Sequence, residues 1–124
     1  MPTEHQWEYA AKGGTKSSGY KGEETDKYFL YPGSDTVGDV AWYSGNSEGR
    51  THEVGKQKEN ELGLYDMGGN VFEWCFDLYT DTSVNRVLRG GSCGSSATDV
   101  RSAYRVYYGP YDRNGGIGFR LLRP

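Results

Sequence analysis

The stretch LGLYDMGGNVFEWCFD, residues 62–77, is the most informative segment of the chain. It starts with apolar residues, passes through the pair Gly68-Gly69, and continues into a run rich in aromatic residues. A glycine pair marks a turn, and the composition of residues 71–76 is typical of a β-strand. The segment therefore predicts a turn that leads directly into a strand.

Upstream of this segment, PTEHQWEYAAKGG, residues 2–14, predicts one short helix. Thr3 is a good N-cap, and Gln6 stands three residues later as its capping-box partner. Trp7 begins an apolar stripe, so we expect this side chain to lie in the core. The glycine pair at 13–14 ends the helix.

Three further segments have the pattern of short core elements or strands. VAWY at 40–43 predicts a short strand or turn, and RVLRGGS at 86–92 and IGFRLLR at 117–123 alternate polar and apolar residues as paired strands do. We expect the last two to pair with each other and Phe119 to lie in the core. The long irregular segment between them is typical of a functional loop.

Length and composition fit one globular domain, residues 1–124. The net charge is −3, but residues 1–85 carry 7 basic and 15 acidic side chains, whereas residues 86–124 carry 7 Arg, no Lys and 2 Asp. These arginines are spaced singly along the chain. We therefore expect them to pair with carboxylates elsewhere in the domain, and we expect no nucleic-acid binding.

No run of apolar residues approaches the length that spans a membrane, and no signal peptide is visible. We therefore expect no membrane insertion by this chain. The first residues have the character of a domain interior, so we expect either a fragment, whose upstream segment is removed or lies on another chain, or a naturally minimal version of the domain. Display at the cell surface or outside the cell is compatible with the sequence, which leaves the localisation open.

The chain has two cysteines, Cys75 and Cys93, and two isolated histidines, His5 and His52. Two cysteines exclude a zinc site with four cysteine ligands. The thiols are either reduced or joined in a single disulfide, and the sequence does not distinguish these alternatives.

Five segments occur in one order: PTEHQWEYAAKGG, THEVGKQKENELGLYDMGGNVFEWC, RVLRGGS, RSAYR and GFRLLR. In this order they resemble the formylglycine-generating-enzyme, or sulfatase-modifying-factor, family, whose domain is a variant of the C-type lectin fold. The resemblance covers nearly the whole chain, 1–124, without the family's upstream portion. It implies an α+β fold with little regular secondary structure and short antiparallel strands.

Formylglycine-generating enzymes oxidise a substrate cysteine with a copper-binding pair of their own cysteines, which follows the GGS motif. An ungapped alignment of GGSCGSSATDVRSAYR with that motif places Ser95 and Val100 at the two cysteine positions. A Cu(I) site needs thiolates, and Cys93 lies two residues early without a nearby partner. The His-rich helical domain of the related iron-dependent sulfoxide synthases is also absent. We therefore expect neither copper nor catalysis, and the alternative is an oxidase of this type or a degenerate relative.

Some members of the family hold calcium with the segment that here reads DMGGNVFE. The resemblance implies four ligands, which are the carboxylates of Asp66 and Glu73 and the carbonyl groups of Gly69 and Val71. Calcium prefers several hard oxygen ligands, including carbonyl groups. The alternative is that both carboxylates are ordinary turn and strand residues, hydrogen-bonded to the backbone.

Residues 86–124 contain no Lys, Glu, Gln, Met or Trp, whereas residues 1–85 contain 22 residues of these five types. At that rate about 10 would be expected in the tail. None of the five can be reached from an Asn codon by changing its adenines. This pattern is the signature of a diversity-generating retroelement, which randomises adenines of an Asn-rich template and writes the product into the 3′ end of a target gene. Known targets include proteins with this lectin-like domain.

The region of about 93–116 is rich in Tyr, Ser and Gly, as antibody paratopes are. We expect a non-catalytic protein that binds an unidentified protein or surface ligand through this diversified region. An undiversified lectin-like binding domain is a further alternative. The expected ligand-binding residues, on one partly exposed face, are Ser95, Ser96, Asp99, Tyr104, Tyr107, Tyr108, Tyr111 and Asn114.

Overall fold

The computed structural model describes residues 1–20 and 28–123. Helix α1 spans Glu4–Ala11, the single helical turn α2 spans Val37–Val40, and 3₁₀ turns lie at Gly14–Lys16, Ser18–Tyr20 and Ala97–Val100. The strands are β1 (Ala41–Trp42), β2 (Gly68–Gly69), β3 (Phe72–Leu78), β4 (Arg86–Arg89), β5 (Arg105–Tyr108) and β6 (Ile117–Gly118). This is an α+β fold with short elements, as predicted. None of the described helices has the length and apolar character needed to cross a membrane.

Helix α1 has the capping that its sequence predicts. The Gln6 backbone N–H donates to Thr3 Oγ1 at 3.2 Å, and the Thr3 N–H donates to Gln6 Oε1 at 2.9 Å, which completes the capping box. The helix ends at a C-cap, Lys12, followed by Gly13 in the left-handed conformation. Trp7 is buried, which confirms its predicted place in the core.

The larger sheet has four strands in the order β5-β4-β3-β6. Strand β4 runs antiparallel to both β3 and β5, whereas β6 runs parallel to β3. The two β-patterned motifs therefore do not pair with each other, because β3 lies between them. The predicted pairing is wrong because alternation of polar and apolar residues identifies a strand but not its partner.

The glycine pair marks a place where two backbone segments meet closely. Strands β1 and β2 pair in parallel, with Trp42 opposite Gly69. Gly69 has a φ of 70°, and a Cβ atom there would lie 2.2 Å from the Trp42 carbonyl oxygen. A glycine is therefore required at this position.

Two clusters of buried apolar residues form the core. The first lies between α1 and the sheet and contains Trp7, Ala11, Met67, Cys75 and Val87. The second contains Tyr31, Val40, Ala41 and Val100. Phe119 belongs to neither cluster and is 66% exposed. The prediction for Phe119 is wrong because β6 ends at Gly118, so the residue lies beyond the last rung of the sheet.

Candidate functional site

The segment 93–116 runs along one edge of the larger sheet and then forms an exposed loop. Its strand β5 pairs with β4 through four consecutive residue pairs, and among the described residues no other strand pairs with it. The sequence does not predict β5, because its residues lack a clear alternation of polar and apolar side chains. Backbone pairing with β4 holds these residues in a strand, although their side-chain pattern does not indicate one.

The two adjacent tyrosines of β5 lie on opposite faces of the sheet, because successive side chains of a strand alternate. Tyr107 is 49% exposed, and its ring packs against that of Tyr79 with the centroids 4.6 Å apart. Tyr108 is partly buried and stands opposite Arg86 on β4. The expectation that all the recognition residues share one face is therefore wrong for this pair.

The other two tyrosines differ in their accessibility. Tyr104 is partly buried, and burial followed by the negative charge of Asp99 raises its pKa. Tyr111 is 88% exposed at the tip of a turn in which the Gly109 N–H donates to the Asp112 carboxylate at 2.8 Å. No other aromatic side chain of this segment is as accessible to a ligand.

The four polar residues of the predicted surface also divide. Ser96 and Asn114 are exposed and Asp99 is partly exposed, but Ser95 is buried. The Ser95 N–H donates to the Ser92 carbonyl at 3.0 Å, and its Oγ accepts from the Ser92 N–H at 2.9 Å. The exposure expected for Ser95 is therefore wrong, because the side chain closes a local turn.

Neither position that the resemblance assigns to a catalytic cysteine carries sulfur. Ser95 belongs to the turn, and Val100 is fully buried in the second core cluster. Gly91 has a φ of 74°, and a Cβ atom there would lie 2.5 Å from Val100 Cγ1, so the GGS motif makes room for this packing. Within the described ranges, no group of three or more His, Cys, Asp or Glu side chains is placed to hold a metal ion.

Both cysteines are free thiols, which is one of the two alternatives that the sequence allows. Cys75 is fully buried on β3, and burial raises the pKa of its thiol to about 12. Cys93 is partly exposed, and its carbonyl accepts a hydrogen bond from Ser47 Oγ at 2.6 Å.

The residues predicted as calcium ligands line one cleft of about 510 Å³: Asp66, Gly69, Val71 and Glu73. Oδ2 of Asp66 accepts from the Gly55 N–H at 2.7 Å. Oδ1 of Asp66 is buried and has no hydrogen-bond partner among the described residues. A buried carboxylate oxygen without a partner is unfavourable unless a donor or a cation satisfies it. Asp66 therefore fits the role of a calcium ligand.

Glu73, the second carboxylate of the cleft, is already engaged. Trp7 Nε1 donates to its Oε2 at 2.7 Å, and Arg120 contacts both of its oxygens at 2.9 to 3.2 Å. The Nη2 atom of Arg120 also donates to the Tyr65 carbonyl at 2.8 Å. The partners of Glu73 are thus side chains, and not the backbone groups of the alternative interpretation.

Three arginines of the tail form ion pairs with carboxylates of residues 1–85: Arg89 with Glu4 and Glu8, Arg105 with Glu4, and Arg120 with Glu73. The prediction that tail arginines are structural is confirmed for these three. They link the end of the chain to α1 and β3.

Two residues were not assigned to these sites from the sequence, Tyr79 and Arg120. Tyr79 follows β3 and packs against Tyr107, and the Arg105 guanidinium lies 4.4 Å from its ring centroid. No pattern in the sequence identifies Tyr79. Arg120 could have been anticipated, because an arginine-rich tail beside an acidic first part of the chain predicts pairs of this kind.

Comparisons with known proteins agree with this structure. The profile described as "Sulfatase-modifying factor enzyme 1-like domain" matches residues 1–124. The chain is 39% identical to the chaperone protein LppX of Paenibacillus barcinonensis, over 99% of this chain and 48% of that protein. It is 33% identical to inactive C-alpha-formylglycine-generating enzyme 2 of Mus musculus, over 97% of this chain and 41% of that protein.

Among solved structures, variable protein 1 of Treponema denticola is similar to this chain, with a TM-score of 0.81 and 36% identity over 96% of this chain and 45% of that one. The chain thus spans about half the length, or less, of the relatives it matches. The family profile covers every residue, and the fold is the C-type lectin-like fold that the motifs predict. The chain belongs to the sulfatase-modifying-factor, or formylglycine-generating-enzyme, family.

Proposed function

We propose that this chain is a non-catalytic ligand-binding protein whose region of about 93–116 is diversified by a retroelement. The observation that carries the proposal is compositional. Residues 86–124 contain no Lys, Glu, Gln, Met or Trp. These are the five residue types described above that cannot arise from an Asn codon by changes to its adenines. Similarity in fold to a protein described as variable supports the same interpretation.

The burial pattern of the segment is compatible with diversification. A position that accepts many side chains has to lie outside the close-packed interior. Of residues 93–116, three are buried: Ser95, Val100 and Ser102. We therefore expect constancy at these three and variation at the exposed positions of the segment, except at Arg105, whose guanidinium pairs with Glu4.

The experiment that tests diversification is sequencing of the DNA around the gene in several isolates. We expect a reverse transcriptase gene and an adenine-rich near-copy of the 3′ end. Differences between the copy and the gene should fall at adenines and in codons for exposed residues. A 3′ end without any near-copy would contradict diversification and would favour an undiversified lectin-like binding domain.

Binding itself can be tested without the natural ligand. Tyr111 and Tyr107 offer large, rigid aromatic contacts of the kind that dominate protein interfaces. A display library that randomises the exposed codons of 93–116 should yield folded variants that bind a chosen protein, such as lysozyme. We propose a protein or surface ligand rather than nucleic acid, because three tail arginines are neutralised by carboxylates.

A formylglycine-generating oxidase is the second candidate, because the family profile is named after an enzyme. Two observations favour the non-catalytic alternative. Ser95 and Val100 stand where the catalytic cysteines would be needed, and both are buried in structural roles. A relative of similar identity is described as inactive.

We also propose that the cleft lined by Asp66 binds calcium. The buried, unpaired Oδ1 of Asp66 supports this, and Gly69 and Val71, whose carbonyl groups the family resemblance assigns as ligands, line the same cleft. Calcium should then raise the melting temperature by binding the native state, and Asp66→Ala should remove that increment. Asp81→Ala, at an exposed carboxylate, is the matched control. Identical melting with calcium and with chelator would mean that these carboxylates are structural only.

A further inference from the structure

We propose that Arg120 is a built-in competitor of calcium at Glu73 and thereby sets the affinity of the cleft for the ion. This inference rests on the calcium site proposed above. It goes beyond that proposal because it identifies a residue of this chain that opposes binding of the ion. The argument depends on the different states of the two carboxylates in the cleft.

One carboxylate has an oxygen without a partner among the described residues, and the other carboxylate is neutralised by a guanidinium. Asp66 Oδ1 is buried without a hydrogen-bond partner in the described part of the chain. Glu73 accepts hydrogen bonds from Arg120 Nε at 3.2 Å to Oε1 and 3.0 Å to Oε2, and from Nη2 at 2.9 Å to Oε1. A guanidinium that contacts both oxygens of a carboxylate forms one of the stronger charge-assisted pairs.

The surroundings strengthen this pair. Glu73 is only 6% exposed, and charges interact more strongly where water is excluded. Asp66, Glu73 and Arg120 line the same cleft. A cation that approaches Asp66 is therefore attracted by one unpaired carboxylate, and the neighbouring guanidinium repels it.

Arg120 lies beyond the end of β6, and its side chain is 30% exposed, so solvent reaches one side of the pair. Strand β6 ends at Gly118, and Phe119, Leu121 and Leu122 around Arg120 are all exposed. The polar contacts of Arg120 are to Glu73 and the Tyr65 carbonyl. Calcium and the guanidinium thus compete for the same carboxylate oxygens.

Calorimetric titration of the full chain with calcium chloride tests this inference. Arg120→Lys replaces a two-oxygen pair by a single ammonium charge, and Arg120→Gln removes the charge. We expect calcium to bind least tightly to the wild type, more tightly to the Lys variant, and most tightly to the Gln variant. The Gln variant should bind roughly tenfold more tightly than the wild type, which is the effect one nearby charge has on a carboxylate equilibrium.

One further variant and one further measurement make the result specific. Asp66→Asn introduced into the Arg120→Gln variant should abolish binding, which places the ion in this cleft and not at surface acids. The Gln variant leaves Glu73 buried without its cation, so its melting temperature without calcium should be lower than that of the wild type. If that variant does not fold, the Lys variant still has to bind calcium more tightly than the wild type.

The outcomes separate this inference from the calcium proposal. Equal dissociation constants for the wild type and the arginine variants would overturn the competition and leave the calcium site intact. Weaker binding by the variants would also overturn it, and would show that Arg120 positions Glu73 for the ion. Absence of binding by every variant would remove the calcium site, and the inference with it.

Discussion

A charged side chain that is buried away from water needs hydrogen-bond partners for nearly all of its polar atoms. Among the described residues, the side chain of Arg89 has them for all but its Nε atom. The side chain is 1% exposed. Its Nη1 donates to Glu4 at 2.7 Å, and its Nη2 donates to Glu8 and to the Ser102 carbonyl, both at 2.6 Å. One residue of β4 therefore holds the helix and the backbone before β5 in fixed positions. Removing one partner of such a pair leaves the other charge uncompensated, which destabilises the folded state.

We predict that the two cysteines differ sharply in reactivity. The thiolate is the reacting form, and burial raises the Cys75 pKa to about 12, so this thiol is both protonated and inaccessible at pH 8. Cys93 is partly exposed. Ellman's reagent at pH 8 should therefore modify one thiol rapidly and the second only after denaturation.

The variants identify the reactive residue. Cys93→Ser should abolish the rapid phase of modification, whereas Cys75→Ser should leave it unchanged. Rapid modification of two thiols per chain in the native wild type would show that Cys75 is not buried as described.

Among the elements, helix α1 is joined to the sheet by charge as well as by burial. Partial burial opposes ionisation of Glu8, but hydrogen bonds from Lys12 and Arg89 outweigh it and lower its pKa below the usual 4.5. A carboxyl group with a lowered pKa in the folded state adds stability above its unfolded pKa. That stability is lost as the pH falls through the folded pKa.

Glu8→Gln should therefore lower the free energy of unfolding at pH 7, and the difference from the wild type should shrink as the pH falls below 4.5. Urea denaturation at several pH values between 7 and 3 measures this. Glu48→Gln is the control, because that side chain is 80% exposed and should change little at any pH. A deficit for Glu8→Gln that stays constant with pH would assign its role to packing.

Elements differed in how far the sequence predicted them. Helix α1 was predicted to within its caps, because capping depends on residues three apart in the chain. Strand β5 was not predicted, because its order comes from pairing with β4. Phe119 was misplaced for the same reason, since a strand pattern does not reveal where its backbone ladder stops.

In the molecule as a whole, the core and the segment 93–116 should respond differently to truncation of their side chains. Tyr111→Ala and Phe119→Ala should change stability by no more than about 0.5 kcal/mol, because both side chains are exposed. Tyr107→Ala should cost about 0.5–1.5 kcal/mol through loss of its contact with Tyr79. Trp7→Ala should cost about 3–5 kcal/mol.

Denaturant melts of these four variants separate the alternatives. If Tyr111→Ala unfolded as readily as Trp7→Ala, the segment 93–116 would be packing, and its assignment as a recognition surface would be wrong.

The whole chain should also fail in the chemistry of active formylglycine-generating enzymes. Serine and valine at 95 and 100 cannot supply the thiolates that Cu(I) needs. The purified chain with Cu(I) should leave the cysteine of a sulfatase peptide unchanged by mass spectrometry. Conversion to formylglycine that disappears with Cys93→Ser would establish an oxidase instead.

The candidate sites were predicted in part, and the limit is physical. The family resemblance implied one site for Asp66 and Glu73, and both line one cleft because they belong to one continuous turn and strand. It could not show that Arg120, which lies 47 residues after Glu73, neutralises that carboxylate. Nor could it place Tyr107 and Tyr108 on opposite faces of the sheet, because that requires knowing that both residues belong to strand β5.

The ion pairs of the tail also have a consequence for codon choice under the proposed diversification. Arg105 lies within 93–116, yet Glu4 holds its guanidinium through two bonds of 2.7 and 2.8 Å. Arginine has codons without adenine, namely CGC, CGT and CGG, whereas every lysine or glutamate codon contains at least one adenine. A copying process that corrupts adenines would leave such an arginine intact and would erase a lysine. Salt bridges between tail arginines and acids before residue 86 would therefore survive rewriting of that kind.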